Sequence, residues 1–344
     1  MPRGGGASFA KEELARVLSH YELGIIQCID RLIVGNRRAA KLIIVSERGR
    51  FLLKRRPKGS DDTQRVALAH SVQMYLVRSG LPVPLLISRR DEDNTVLSLE
   101  GHIYELFEYI DGARYDGSSQ ATTDAGKQLA RLHIELAGFS SNWKPPQGSF
   151  HDSANVRIHL RTLASQKAGS ESKIKLRQTG EELTTLYNAS STRVNELGFD
   201  SWPEQLVHGD WHPGNMLFKD GKVRAILDFD SIKLSQSVTD LANGMLQISI
   251  VGGRPNPADW PAYLDQAKLV QFLSGYRQLQ SIEENRLNSL PDLMIETMIA
   301  EAVLPIAATG FFGNLSGLEF LKMIKRKCQW IDQNRETLTK AIHD

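Results

Sequence analysis

The feature that most restricts the fold lies past the middle of the chain, where apolar runs flank Asp220-Gly221 in MLFKDGKVRAILDFD. An Asp-Gly pair suits the positive φ angles of a two-residue turn, and apolar neighbours on both sides make such a pair the tip of a β-hairpin. Counting outward from the turn pairs Phe218 with Val223 and sets Asn215 opposite Ile226. Asp228 then shares a face with Asn215, at a diagonal Cα spacing of ~7 to 8 Å. A β-bulge in either strand would shift this register.

Just ahead of the hairpin stands HGDWHPGN, residues 208 to 215. An amide oxygen and a carboxylate at that spacing suit one small hard cation. Mg²⁺ needs few protein oxygens when substrate phosphates complete its shell, so Asn215 and Asp228 are the candidate metal ligands. Asp210, on the loop before the hairpin, is left free to accept a proton from an attacking hydroxyl. Protein kinases order the same tasks along the chain in this way, with an aspartate base, an asparagine five residues on and a later metal-binding aspartate. Two other readings fit the residue types. Asn and Asp also cap ordinary turns, and His208, Asp210 and His212 are the ligand types of a hydrolytic zinc or manganese centre, although that centre lacks further ligands.

With 344 residues the chain exceeds the usual size of one core. After a Gly-rich start, FAKEELARVLSHY has helical apolar spacing, and segments 29 to 35, 41 to 46 and 50 to 55 read as an antiparallel meander. A helix over residues 61 to 79 follows, with Ser60 or Asp61 as N-cap, and strands resume at 84 to 88, 95 to 99 and 102 to 107. From about residue 112 the patterns turn helical, through 153 to 166 and 177 to 197. The expected class is α+β, with a small antiparallel sheet crossed by one helix (residues 1 to 108) and a larger, mainly helical lobe (residues 109 to 344).

Basic residues crowd between Arg31 and Arg65, which reads as a solvated surface or as a place to meet an anion. The two cysteines, Cys28 and Cys328, give neither a disulfide framework nor a zinc knuckle. The chain starts without a signal-peptide core and contains no run of ~18 to 20 apolar residues, so a cytoplasmic protein outside the membrane is expected. The aromatic residues form no nucleic-acid platform.

HGDWHPGN followed by ILDFD resembles the signature of the phosphotransferase enzyme family that includes aminoglycoside phosphotransferases, choline kinases and type II homoserine kinases, which share a protein-kinase-like two-lobed fold. The resemblance extends over FLLKRRP, the helix ending in GLPVP, YELFEYIDG and SVTDLA. It implies Asp210 as catalytic base, Asn215 and Asp228 as Mg²⁺ ligands, and Lys54 on the ATP phosphates. It further implies a hinge from Glu108 to Ile110 whose backbone meets adenine, and Asp240 as a structural carboxylate. His208 and His212 would shape the loop. From the residues alone, a lysine in an apolar strand needs an anionic partner. A one-residue slip would instead turn Arg55 or Arg56 inward, and the resemblance favours Lys54. Arg37 and Arg38 are candidates to lie over the phosphates.

The sequence departs from the kinase pattern in two respects. The helix over 61 to 79 contains no glutamate to orient the strand lysine, and His70 and Gln73 hold the inward positions. A nucleotide-binding protein without turnover is therefore the second reading beside an ATP- and Mg²⁺-dependent small-molecule kinase. Asp230, where protein kinases carry Gly, is placed to support a second metal. For the hydroxyl acceptor, Asp265, Glu296 and Glu301 are the carboxylates available to meet an amine, as in homoserine, choline or another amino alcohol. A polycationic aminoglycoside gains no steering from a net charge of +2.

Overall fold

Alternating apolar residues build an antiparallel sheet from strands that lie between residues 26 and 108. The computed structural model describes residues 8–32, 39–90, 92, 94–165 and 170–343, so the expected contribution of Arg37 and Arg38 lies outside the described residues. Strands β1 (Ile26–Arg31), β2 (Ala40–Ser46), β3 (Gly49–Arg55), β4 (Leu97–Leu99) and β5 (His102–Glu108) pair antiparallel in the order β1-β2-β3-β5-β4. Ile44, Leu53 and Leu106 share one face and close against Val17 and Tyr21 at helix α1 (Lys11–Ser19), which gives the sheet a small core of its own. The expected strand at 84 to 88 shrinks to a single bridge, Leu86 to Phe107. Pro82 and Pro84 remove the N–H groups that a longer ladder needs.

Helix α2 (Thr63–Arg78) meets the other face of the sheet through His70, which bonds Glu105 of β5. Its N-cap is Asp62, one residue beyond the expected cap, and the Asp62 carboxylate accepts the N–H groups of Gln64 (3.0 Å) and Arg65 (3.1 Å). Asp61 instead accepts the Gly59 N–H at 2.9 Å. Leu68, Ala69, Val72 and Leu76 of α2 belong to the larger core of the helical half. The one helix that crosses the sheet is thus packed against the other lobe.

That lobe comprises α3 (Ser119–Ala137), α4 (Ala154–Ala164) and α5 (Glu171–Glu196), then α6 (Ser237–Ser249), α7 (Gln266–Arg277), α8 (Glu284–Thr309), α9 (Gly317–Gln333) and α10 (Arg335–His343). α5 starts ahead of the expected 177 because the Ser170 hydroxyl caps it by accepting the Lys173 N–H. α8 runs through the centre, with Leu290 to Ala300 buried on all sides. α3 and α7 cross at bare backbone: a Cβ on Gly126 would lie 1.9 Å from the Phe272 carbonyl, and one on Gly275 would lie 1.9 Å from the Thr123 carbonyl. Among the described residues no helix is long and apolar enough to cross a membrane.

Between α5 and α6 the chain forms two ribbons. Strand β6 (Glu204–Val207) pairs with β9 (Lys233–Gln236), and β7 (Met216–Lys219) pairs with β8 (Lys222–Ile226) across Asp220-Gly221. The hairpin is tied to α3 by the Val223 N–H, which donates to Asp124 Oδ2 at 2.7 Å. It is tied to the segment after β5 by reciprocal backbone bonds of 2.8 Å between Ala113 and Phe218.

Candidate active site

The loop ahead of the hairpin is fixed from beneath by a buried carboxylate. Asp240 in the first turn of α6 accepts the backbone N–H groups of His208 (2.6 Å) and Gly209 (2.8 Å) and lies 3.4 Å from His133 Nε2. Burial acts to raise its pKa, but His133, His208 and the Gly209 N–H hold it below the ordinary aspartate range. Gly209 has φ 77°, and a Cβ there would meet the Ser231 carbonyl at 2.3 Å, so the chain turns here only without a side chain. The His208 ring is fully buried between Trp211 and Phe229, with Nε2 donating to the Leu227 carbonyl at 3.1 Å. It is thus committed to the scaffold, and His208, Asp210 and His212 do not converge as a metal centre. Among the described residues no group of three His, Cys, Asp or Glu side chains is arranged to hold an ion.

Asp210 leaves this loop half-exposed. Asn215 Nδ2 donates to its Oδ2 at 2.9 Å and to its carbonyl at 3.0 Å, which turns the Asn215 Oδ1 away from Asp210. His212 Nδ1 accepts the Gly214 N–H (3.0 Å), so its proton sits on Nε2, 3.6 Å from Asp210 Oδ2. Burial works to raise the Asp210 pKa, but His212, His208 and Asn215 hold it below the usual range, and the carboxylate is ionised at neutral pH.

The register count fails by one. Phe218 does pair with Val223, but a bulge at Arg224 makes Leu217 pair with Ala225 and Met216 with Ile226. Asn215 therefore lies beside Leu227, whose N–H donates to its carbonyl at 2.8 Å. Simple alternation would send Asp228 to the opposite face. Asp228 instead adopts a left-handed conformation (φ 62°, ψ 69°), which ends the strand and its alternation. Its charge is felt at His212, Lys54 and Lys41, so it stands between the hairpin and the sheet. Among the described residues the Asp228 carboxylate accepts no hydrogen bond, and with Asn215 Oδ1 it offers the hard-oxygen donors that Mg²⁺ prefers.

On the sheet, Lys54 and Arg56 point to the site, while Arg55 turns to the opposite face and pairs with Glu13 at 2.5 Å. The register joins Lys54 directly to Glu105 of β5. Glu105 is almost fully buried: Oε1 accepts from Arg56 (2.7 Å) and from His70 Nε2 (2.7 Å), and Oε2 lies 3.7 Å from Lys54 Nζ. Burial opposes its charge, yet His70, Lys54 and Arg56 bring its pKa down to about 2. Lys54 and Arg56 also reach across to Asp230, at 3.3 and 2.6 Å. The carboxylate expected to support a second metal thus joins the two lobes. His70 and Gln73 are both buried as expected, and His70 completes its bonds through Thr95 Oγ1 at 2.7 Å.

Of the expected hinge, the Glu108 N–H donates to the Leu85 carbonyl at 2.8 Å, and Glu108 itself is exposed. Among the described residues the Ile110 N–H has no acceptor. On the far side of Asp210, a cavity of about 360 Å³ opens between α6, α8 and α9, walled by Ile250, Trp260, Met298, Phe312 and Phe320. Glu301 is its carboxylate. Glu301 Oε2 accepts from Gln247 at 2.5 Å, and burial together with the charge of Asp210 pushes its pKa up to about 7. Asp265 caps α7 through the Lys268 N–H (3.2 Å), and buried Glu296 is held by His151 (2.9 Å) and the Asp152 N–H (2.9 Å). Glu301 alone of those three faces the cavity. Lys327, at the cavity wall, donates to the carbonyls of Val251, Pro261 and Tyr263 at 3.1, 2.7 and 3.4 Å.

Glu105 escaped the sequence reading, and Arg56 entered it only as an alternative to Lys54, whereas both basic residues point to the site. A carboxylate within the apolar run IYELF was the available signal, since burial of that charge requires cations nearby.

Residues 31–281 match the profile of the phosphotransferase enzyme family. The stress response kinase A of Salmonella typhi is 24% identical over 196 residues, 57% of this chain and 56% of the relative. The homoserine kinase of Rhodopseudomonas palustris is 26% identical over 230 residues, 64% of this chain and 63% of the relative. The chain therefore spans a little over half the length of the curated relatives it matches. Among solved structures, an aminoglycoside phosphotransferase from Alicyclobacillus acidocaldarius superposes with a TM-score of 0.70 at 14% identity, covering 98% of this chain and 97% of that one. A microcompartment-associated aminopropanol kinase gives 0.68 at 15%, covering 95% and 98%. An amicoumacin kinase in complex with AMP-PNP and Ca²⁺ gives 0.67 at 16%, covering 94% of each chain. These likenesses establish the two-lobed protein-kinase-like fold.

Proposed function

Because the chain belongs to the phosphotransferase enzyme family, we propose that it transfers the γ-phosphoryl group of ATP to a hydroxyl of a small molecule that also carries an amine. Asp210 accepts the hydroxyl proton, oriented by Asn215 Nδ2 and kept ionised by His212. Asn215 Oδ1 and Asp228 would hold Mg²⁺, which would supply positive charge against the nucleotide phosphates. Lys54 steadies the phosphates from the sheet, and the free Ile110 N–H with the Glu108 backbone receives the adenine edge. In this reading residues 1 to 108 form the nucleotide lobe and residues 109 to 344 the catalytic and acceptor lobe. Alignment and preorganised charge supply most of the rate. The amicoumacin kinase likeness, with its nucleotide analogue and divalent cation, supports the cofactor assignment.

The observation that carries this reading is the convergence of Asp210, Asn215, Asp228 and Lys54 between the two lobes. The acceptor's amine meets Glu301, the one carboxylate lining an otherwise largely apolar cavity beside Asp210. A single carboxylate suits a monoamine rather than a polycation, and a cavity of about 360 Å³ suits a small molecule rather than a polypeptide.

The test is ADP release from Mg-ATP across a panel of amino alcohols, sugars and antibiotics. Acceptor-stimulated turnover is expected, reduced by about 10²- to 10⁴-fold in Asp210→Asn. Nucleotide binding with no stimulation by any hydroxyl compound would favour a binding protein. Label transfer to polypeptide instead would favour a protein kinase.

A further inference from the structure

The absence of glutamate from helix 61 to 79 leaves Lys54 without the helix-borne partner that kinases use. The buried carboxylate facing it comes instead from the adjacent strand of its own sheet. We propose that Glu105 is the positioning residue for Lys54, so that the phosphate-gripping lysine is held within the sheet and independently of where helix α2 stands. The inference rests on the phosphotransferase reading given above.

Three observations carry it. Lys54 and Glu105 are direct cross-strand partners, so their separation is set by the sheet ladder and not by packing between a helix and a sheet. Glu105 Oε1 is saturated by Arg56 and His70, whereas Oε2 is buried, accepts no hydrogen bond and has Lys54 Nζ 3.7 Å away. The ammonium faces that oxygen through charge and not through a hydrogen bond, and it also reaches Asp230, a residue outside the sheet, at 3.3 Å. Finally, His70 occupies the place on α2 from which a helix glutamate would reach Lys54, and it hydrogen-bonds Glu105. The helix therefore leans on the pair without making it. In kinases whose Lys-Glu pair joins sheet to helix, a swing of that helix breaks the pair and switches the enzyme off. Here such a swing would cost a hydrogen bond to Glu105 and leave Lys54 in place.

Two readouts test this on the full-length protein: the affinity for Mg-ADP by calorimetry, and the rate at which an amine-acylating reagent labels Lys54, followed by mass spectrometry at pH 8. Glu105→Gln is expected to weaken Mg-ADP by at least tenfold. It is also expected to speed Lys54 labelling by at least tenfold, because loss of the anion releases a proton from the ammonium. Adding His70→Glu in that background returns a carboxylate from the helix side and is expected to reverse most of both changes. Labelling that stays at the wild-type rate in Glu105→Gln, with or without a fall in affinity, overturns the proposal. Should Glu105→Gln fail to fold, the pH profile of labelling in Asp230→Asn, which leaves Glu105 as the carboxylate beside Lys54, decides. A Lys54 midpoint above that of free lysine is expected, and one at or below it overturns the pairing. Failure of the unmodified protein to bind Mg-ADP would refute the phosphotransferase reading instead, while the labelling result still judges the pair.

Discussion

Two glutamates, Glu105 almost fully buried in the sheet and Glu301 half-buried on α8, carry opposite electrostatic states. Glu105, on the sheet, is enclosed by Lys54, Arg56 and His70 and has its pKa drawn down to about 2. Glu301, on α8, is bonded by the neutral amide of Gln247, stands near the negative Asp210, and has its pKa pushed up to about 7. Desolvation of the two side chains is comparable in kind, so the difference comes from their partners. The sheet side already holds its counter-charges in the folded chain. The helix side leaves a carboxyl group whose ionisation waits for a cation, which is what an acceptor amine would bring.

The sharpest way to break this contrast is to delete each carboxylate and measure unfolding at pH 7. Glu105→Ala leaves Lys54 and Arg56 with Asp230 as their remaining carboxylate and takes away the buried one, and the expected loss is about 3 to 5 kcal/mol by denaturant titration. A loss under about 1 kcal/mol would show that the cluster is not a tight network.

The next effect is a dependence on pH with opposite signs. The folded pKa of Glu301 lies above its unfolded value, so its favourable contribution is complete below about pH 4.5 and is lost as pH rises through about 7. Glu301→Gln is therefore expected to stabilise the protein at pH 8 by about 2 kcal/mol and to change it little at pH 5. Glu105 has a depressed folded pKa. Its contribution is present above about pH 4.5 and disappears as pH falls through about 2, so the Glu105→Ala defect should shrink in acid. Equal defects at both pH values would contradict the assignment of these two environments.

A smaller perturbation separates the helix from the sheet. Asp62→Ala removes the cap of α2 and should cost about 1 kcal/mol. If Lys54 is held by the sheet, Mg-ADP affinity should change by less than about threefold in this variant. A tenfold loss would mean that α2 does set the lysine.

Much of the architecture was legible in residue pattern. The meander, the crossing helix and the turn at Asp220-Gly221 follow from local preferences that tertiary packing did not override. The bulge at Arg224 was not legible, because an extra residue in a strand leaves no mark in composition. The left-handed Asp228, which makes up for that bulge, was equally hidden. The pairing of Glu105 with Lys54 needed the order of strands, since β3 and β5 are separated in sequence by α2 and β4. Glu301 stood among three equivalent carboxylates until geometry showed Glu296 engaged by His151 and Asp265 spent on a helix cap.

The bare crossing of α3 and α7 links two places that share no side chain. At Gly126 and Gly275 the helices meet backbone to backbone, leaving no rotamer between them to absorb a displacement. α3 also grips the hairpin through Asp124, while the residue capping α7 adjoins Leu264, which is bridged to Ile250 on the cavity wall. The crossing therefore fixes the spacing of α3 and α7, so the helix that grips the hairpin and the helix that adjoins the cavity wall share one seam with no slack in it.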